Sequence, residues 1–128
     1  MPVETLSIAV LCVILLLTTF VQGSLVPLTH GFRWGLGSRD EPVVTTAIQG
    51  RFARCVQNQI ESICIYVPVA AIVVFLDRTS EMKATASWLV IVGRTLFVPL
   101  YLGGVFGLRS AAYGVATVGI LIMAFCLV

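Results

Sequence analysis

Charged residues are scarce in this sequence, and that scarcity excludes the commonest class of protein. Only 11% of the 128 residues are charged, whereas 59% are hydrophobic, and the mean hydropathy is +1.04. A water-soluble domain of this length needs far more polar surface. The solvent that this composition fits is the hydrocarbon of a membrane.

Two further shortages exclude metal and nucleic-acid functions. His30 is the only histidine and the four cysteines form no C-x-x-C pair, so neither a histidine-based metal centre nor a dithiol exchange centre is expected. The formal net charge is only +2 and the basic residues are scattered. That distribution provides no footprint for nucleic acid.

Four apolar stretches are long enough to cross a membrane, since about 20 residues of helix span ~30 Å of hydrocarbon. The first has no basic residue before it and exceeds the apolar core of a signal peptide, so we expect a retained helix. The sequence therefore predicts an all-α membrane protein, a single domain over residues 1–128. Its four-transmembrane-helix bundle has helices at about 5–26, 47–76, 84–102 and 109–128.

The connecting segments carry most of the charge. Residues 27–46 have the glycine and proline content of a loop, and residues 77–83 have the mixed charge of a polar hairpin. Positive charge is concentrated on the first and third loops and the helix ends beside them, so the positive-inside rule places these two loops in the cytoplasm. The basic residues on that side are Arg33, Arg39, Arg51, Arg54 and Arg109, against Arg78 and Lys83 on the other.

One polar stripe runs along the second predicted helix. Arg51, Arg54, Asn58 and Glu61 follow one another at spacings of three, four and three residues, which puts them within an arc of about 80° that climbs roughly 15 Å. An ionised side chain near the bilayer centre costs ~2.5–3.5 kcal/mol, so these groups should face partners or water rather than lipid. An ion pair that only fixes helix register would explain the stripe as well as a binding site would.

Polar side chains of the third and fourth predicted helices should lie at the same end of the bundle. Tyr101 comes seven residues after Arg94, and Tyr113 comes one turn after Arg109. A pocket there would hold more cations than anions, so its guest should be an anion, and arginine suits bidentate recognition of a carboxylate. The helix start beside Arg109 adds backbone donors and partial positive charge, which would favour the thiolate form of a bound thiol.

These residues resemble the MAPEG family, the membrane-associated proteins in eicosanoid and glutathione metabolism. The run from Arg51 to Glu61, with Arg54 and Asn58 at the same spacing, is similar to the signature of that family's second helix. Residues 93–94, 101–103 and 108–113 are similar to its third helix and to the start of its fourth. The loop at residues 35–42 is similar to the loop of short bacterial members.

The resemblance implies a left-handed four-helix bundle that assembles as a homotrimer in a bacterial inner membrane. Glutathione would bind between neighbouring subunits from the cytoplasmic side. The resemblance also implies that Arg109 stabilises the thiolate and that Ser110 supplies a neighbouring hydroxyl. The other glutathione contacts that it implies are Arg54, Asn58, Glu61, Tyr101 and Tyr113.

Three positions depart from the branch of the family that forms prostaglandins and leukotrienes. Gln57 stands where those members have a basic residue, and Phe97 replaces a polar residue of the third helix. Residues 103–108 lack the lysine and arginine of those enzymes. These losses weaken the case for glutathione, and they weaken the case for an eicosanoid substrate more strongly.

Three functions fit the sequence to different degrees. The first is a membrane-bound glutathione-dependent transferase or peroxidase acting on lipophilic electrophiles or hydroperoxides. The second, motivated by Gln57 and Phe97, is a non-catalytic trimeric membrane module that binds an anionic lipid or metabolite. The third is a small multidrug transporter, which typically places its essential acid in the first helix, yet no ionisable residue follows Glu4 there.

Overall fold

Four long helices and one short one make up the protein in this computed structural model, which describes residues 1–127. They are α1 (Val3–His30), α2 (Phe32–Leu36), α3 (Ala47–Phe75), α4 (Glu81–Leu102) and α5 (Leu108–Phe125). The four long helices are each apolar and long enough to cross a membrane. They correspond to the four predicted helices, so the chain is an integral, multi-pass, all-α membrane protein as the sequence predicts.

The first helix is longer than predicted. Residues 27–30 were expected in a loop, but they continue α1, because a proline removes one backbone donor without having to end a helix. The helix ends where Gly31 adopts a φ of 87° and its N–H bonds the carbonyl of Pro27 at 2.9 Å. A Cβ at Gly35 would lie 2.9 Å from Pro27 Cα, so glycine allows α2 to pack on the end of α1.

The third membrane helix also begins earlier than predicted, at Glu81 instead of residue 84. Ser80 caps it by accepting a hydrogen bond from the Lys83 backbone N–H at 3.4 Å, and Glu81 suits the positive end of the helix. The polar hairpin is correspondingly shorter. At the other end of the chain, α5 ends at Phe125, and the predicted helix end at Val128 lies outside the described residues.

A capping box starts α3 at its predicted position. Gln49 N–H donates to Thr46 Oγ1 at 3.3 Å, and Thr46 N–H donates to Gln49 Oε1 at 2.8 Å. The same Oε1 lies 3.2 Å from His30 Nε2 at the end of α1. Since an amide oxygen only accepts, His30 must donate from Nε2. The end of α1 is therefore tied to the start of α3.

The backbones of α4 and α5 are in direct contact at two glycines. A Cβ on Gly93 would lie 2.6 Å from Ala116 N and 2.7 Å from Ala112 O, and one on Gly119 would lie 2.6 Å from Ala86 O. Small residues allow this approach, which gives membrane helices dispersion contacts that lipid cannot replace. The contacts at Gly93 and Gly119 set the distance between α4 and α5, which carry the remaining candidate site residues.

Hydroxyl groups join three helices deep in the bundle. Ser7 Oγ of α1 lies 2.7 Å from the Tyr66 hydroxyl of α3, which lies 2.9 Å from Ser87 Oγ of α4. All three residues have no solvent exposure. An apolar cluster including Leu11 and Met123 surrounds them. A buried polar group in a membrane protein needs such partners, so these contacts also fix the mutual register of the helices.

Replacing Gly93 with alanine should destabilise the protein. The new methyl group would meet backbone atoms of α5, and overpacking of this kind costs about 1–3 kcal/mol. We expect a lower midpoint of thermal unfolding in detergent, followed by circular dichroism. Gly114 of α5 has no atom within 4 Å of a built Cβ, so Gly114→Ala is the matched control and should unfold at or above the native midpoint. Equal midpoints for both variants would contradict the close backbone contact between α4 and α5 at Gly93.

Candidate functional site

The polar stripe of α3 divides into residues with different partners. Arg51 Nη1 donates to the carbonyl of Leu102 at 3.0 Å. That carbonyl lies at the C-terminal end of α4, where a cation is favourable. Arg51 therefore caps a helix, whereas the three later members of the stripe, Arg54, Asn58 and Glu61, lie around an open cleft.

Arg54 and Glu61 do not rely on each other for hydrogen bonds. Arg54 Nε donates to the Tyr101 hydroxyl of α4 at 3.2 Å, and Gln57 Nε2 donates to Glu61 Oε1 at 3.1 Å, one turn along α3. Arg54, Gln57 and Glu61 are all exposed in the single chain. Their remaining hydrogen-bonding capacity is free for a ligand or another protein surface.

Arg94 lies behind this cleft with only 1% of its surface exposed. Its Nη1 donates to Asn58 Oδ1 at 2.7 Å, and its Nη2 donates to Ser62 Oγ. The guanidinium carbon lies 5.2 Å from the ring centroid of Tyr113 and 5.5 Å from that of Phe97. Arg94 thus contacts α3 through polar atoms and α5 through an aromatic face.

The first turn of α5 supplies the other wall. Arg109 is half-buried, and its guanidinium carbon lies 5.2 Å from the ring centroid of Tyr101. Ser110 follows it, and Tyr113 lies one turn further. Phe97 of α4, which is 3% exposed, closes the cleft. The centroid of its ring lies 5.2 Å from that of Tyr101 and 6.2 Å from that of Tyr113.

Two clefts adjoin at this end of the bundle and share Asn58 and Tyr101. The larger has a volume of about 400 Å³ and the smaller a volume of about 190 Å³. Every candidate site residue lines at least one of them. The larger cleft contains Arg54, Asn58, Glu61 and Tyr101, and the smaller contains Asn58, Tyr101, Arg109, Ser110 and Tyr113.

The charges around the two clefts are unequal. Arg54 and Arg109 line them and Arg94 lies behind, whereas Glu61 is the one carboxylate among the lining residues. This arrangement favours an anionic ligand, with Glu61 placed to receive an ammonium group. Across residues 1–127 no group of three His, Cys, Asp or Glu side chains is arranged to hold a metal ion.

The sequence alone did not identify two contributors to this region. Ser62 holds Arg94, and the signal for it was its position four residues after Asn58 on the same helical face. Phe97 was noted only as a departure, yet it forms a wall of the smaller cleft. A third cavity, of about 580 Å³, lies in the first loop around His30, Trp34 and Arg39 and contains none of the candidate site residues.

Comparison with known proteins identifies the family of this chain. No curated protein and no solved structure matches the sequence. The model of the MAPEG family matches residues 6–128, which is nearly the whole chain and extends over all four membrane helices except the first three residues of α1. The chain therefore belongs to the MAPEG family.

Proposed function

We propose that this protein is a membrane-bound glutathione-dependent transferase or peroxidase that acts on lipophilic electrophiles or hydroperoxides. The observation that carries the proposal is the convergence of polar residues from α3, α4 and α5 on two adjoining clefts in which cations outnumber anions. Membership of a family associated with glutathione supports that tripeptide as the thiol substrate.

The cleft chemistry fits glutathione, which carries two carboxylates and one ammonium group. Arg54 and Arg109 have guanidinium groups that can bind a carboxylate through two parallel hydrogen bonds. Glu61 can accept from the ammonium group, since only one of its oxygens is bonded to Gln57. Tyr101 and Tyr113 border the space between these charges.

Arg109 is the residue that we assign to catalysis. Bound glutathione supplies a thiol, and its thiolate is the nucleophile. In transfer the sulfur bonds to the electrophilic carbon and the leaving group departs with its electron pair. In peroxide reduction the sulfur attacks the O–O bond, an alcohol leaves, and a second glutathione converts the sulfenic acid to glutathione disulfide and water. Arg109 and the first turn of α5 stabilise negative charge at the cleft, with the Ser110 hydroxyl beside them. The thiol proton leaves to water, and the protein holds the thiolate in position for a lipophilic substrate arriving from the bilayer.

A homotrimer explains why the α3 stripe is exposed in one chain. Glu61 lies midway along α3, where contact with lipid would cost ~2.5–3.5 kcal/mol for an ionised group. A neighbouring copy that covers Arg54, Gln57 and Glu61 removes this cost and completes the clefts. We infer that glutathione binds between subunits at the cytoplasmic end, with the first and third loops in the cytoplasm of a bacterial inner membrane.

A second candidate function is a non-catalytic trimeric module that binds an anionic lipid or metabolite. Gln57 is a neutral residue bonded to Glu61, and Phe97 fills part of the smaller cleft with an apolar ring. Both features reduce the polar contacts available to a tripeptide. Headgroup-specific lipid that remains bound after purification, together with no thiol-dependent activity on an electrophile panel, would favour this function.

Glutathione should bind the detergent-purified protein saturably, as measured by isothermal titration calorimetry. Arg54→Ala and Arg109→Ala should each weaken binding about ten-fold or more, because a hydrogen-bonded charge is worth ~1.5–3 kcal/mol. Arg78→Ala, in the hairpin at the other end, is the matched control and should bind like the native protein. If glutathione does not bind the native protein, the result would favour the function as a lipid-binding module.

Arg109→Ala should also shift the pH dependence of turnover. Without this cation the bound thiolate forms only at higher pH, so the rising limb of the rate profile should move to higher pH, and kcat at neutral pH should fall. Steady-state rates with a soluble aromatic electrophile across a pH series measure both effects. An unchanged profile with glutathione still bound would remove Arg109 from the catalytic role.

Native mass spectrometry of the detergent-solubilised protein should give the mass of three chains. The physical reason is that the α3 stripe is stable in a membrane only when protein covers it. Glu61→Leu should weaken glutathione binding, because it removes the carboxylate that accepts from the ammonium group. The mass of three chains should remain, because Arg54 and Gln57 still need a covering subunit. A native protein that stays monomeric in mild detergent would contradict the trimer.

A further inference from the structure

Arg94 holds Asn58 in two ways. The guanidinium donates directly to Asn58 Oδ1 at 2.7 Å, and it also donates to Ser62 Oγ. The Ser62 hydroxyl in turn donates to the backbone carbonyl of Asn58 at 3.1 Å. Arg94 and Ser62 are both buried, so bulk water has little access to the bond between them, whereas Asn58 is half-buried beside the clefts. We refer to Arg94, Ser62 and Asn58 as the clasp.

The clasp determines which end of the Asn58 amide faces the ligand. A guanidinium group carries donors only, whereas an asparagine amide has one acceptor end and one donor end. Turning the amide over would place its NH2 group against the buried cation and leave two donors without acceptors. Oδ1 must therefore point at Arg94, and Nδ2 points away from it.

Asn58 lines both clefts, and with Oδ1 bonded to Arg94 the Nδ2 group is the end of its amide left to bond a ligand. We propose that Arg94 is a positioning residue that makes Asn58 an obligatory hydrogen-bond donor, so the clefts select a ligand with an acceptor, a carboxylate or peptide carbonyl, at this point. The proposal rests on the proposed function, in which glutathione supplies that acceptor.

The same guanidinium also positions the opposite wall. Tyr113 of α5 lies against one face of Arg94, with 5.2 Å between the guanidinium carbon and the ring centroid. Tyr113 lines the smaller cleft beside Arg109. Loss of Arg94 therefore loosens ligand contacts on α3 and α5 while leaving the thiolate-stabilising Arg109 in place. The expected kinetic signature is a change in KM rather than in kcat.

The polarity of Asn58 can be tested by glutathione titration calorimetry on substituted proteins. Asn58→Asp retains an acceptor for Arg94 but presents an oxygen to the ligand, so it should bind more weakly than Asn58→Ala. Ala53→Asp is the matched control, since it adds the same charge to the larger cleft without touching the clasp or the bond between Gln57 and Glu61. We expect Asn58→Asp to lose about ten-fold more affinity than Ala53→Asp. Native-like binding by Asn58→Asp would overturn the assigned polarity.

The role of Arg94 can be tested with Arg94→Lys, Asn58→Ala and the double variant. Lysine keeps the charge but not the planar fork, so KM for glutathione should rise about ten-fold with kcat near native. If Arg94 acts largely through Asn58, the double variant should have a KM close to that of Asn58→Ala. Fully multiplicative effects would overturn the positioning role.

Thermal unfolding of the same variants separates this inference from the proposed function. The unfolding midpoints of Arg94→Lys and Asn58→Ala should be coupled, which measures the clasp without any ligand. If the native protein does not bind glutathione, the proposed function is overturned. The proposal that Asn58 bonds an acceptor group of glutathione is then overturned with it. Independent midpoints in a protein that does bind glutathione would overturn the clasp alone.

Discussion

The guanidinium group of Arg94 needs polar partners inside a bundle surrounded by hydrocarbon. The side chain is among the largest that are fully buried, and an ionised group near the bilayer centre is costly. Two of its nitrogens donate to an amide and a hydroxyl of α3, and an aromatic ring of α5 lies against its face, while the buried Nε has no hydrogen-bond partner among the described residues. The solvation of one cation thereby sets the relative positions of three helices, and the clefts lie between those helices.

The close approach of α4 and α5 makes this arrangement reachable. Gly93 precedes Arg94 directly, and the absence of a side chain there lets Ala112 and Ala116 of α5 reach the α4 backbone. Tyr113 follows Ala112, so the same contact brings its ring to the guanidinium. The packing contact between the two helices therefore also contributes to the geometry of the site. At these positions the residues that pack α4 against α5 also determine the shape of the site.

The residues that sequence analysis identified well are those governed by local periodicity. Helix spacing placed Arg54, Asn58 and Glu61 on one face, and the structure places all three around a cleft. The ends of helices were harder to predict, because whether Pro27 terminates α1 depends on Gly31 and on packing by Gly35. Contacts between distant segments could not be predicted, since no spacing in the sequence relates Arg94 to Asn58 before the helices are packed.

One oxygen atom connects the end of α1 to α3, the helix that carries most of the site. Gln49 Oε1 accepts from the Thr46 backbone and contacts His30 at the end of α1, which uses both of its lone pairs. Release of His30 weakens the cap of α3 at the same time, because the amide is then held by fewer partners. The end of α1 and the leading turn of α3 are therefore coupled through this atom, two turns from Arg54.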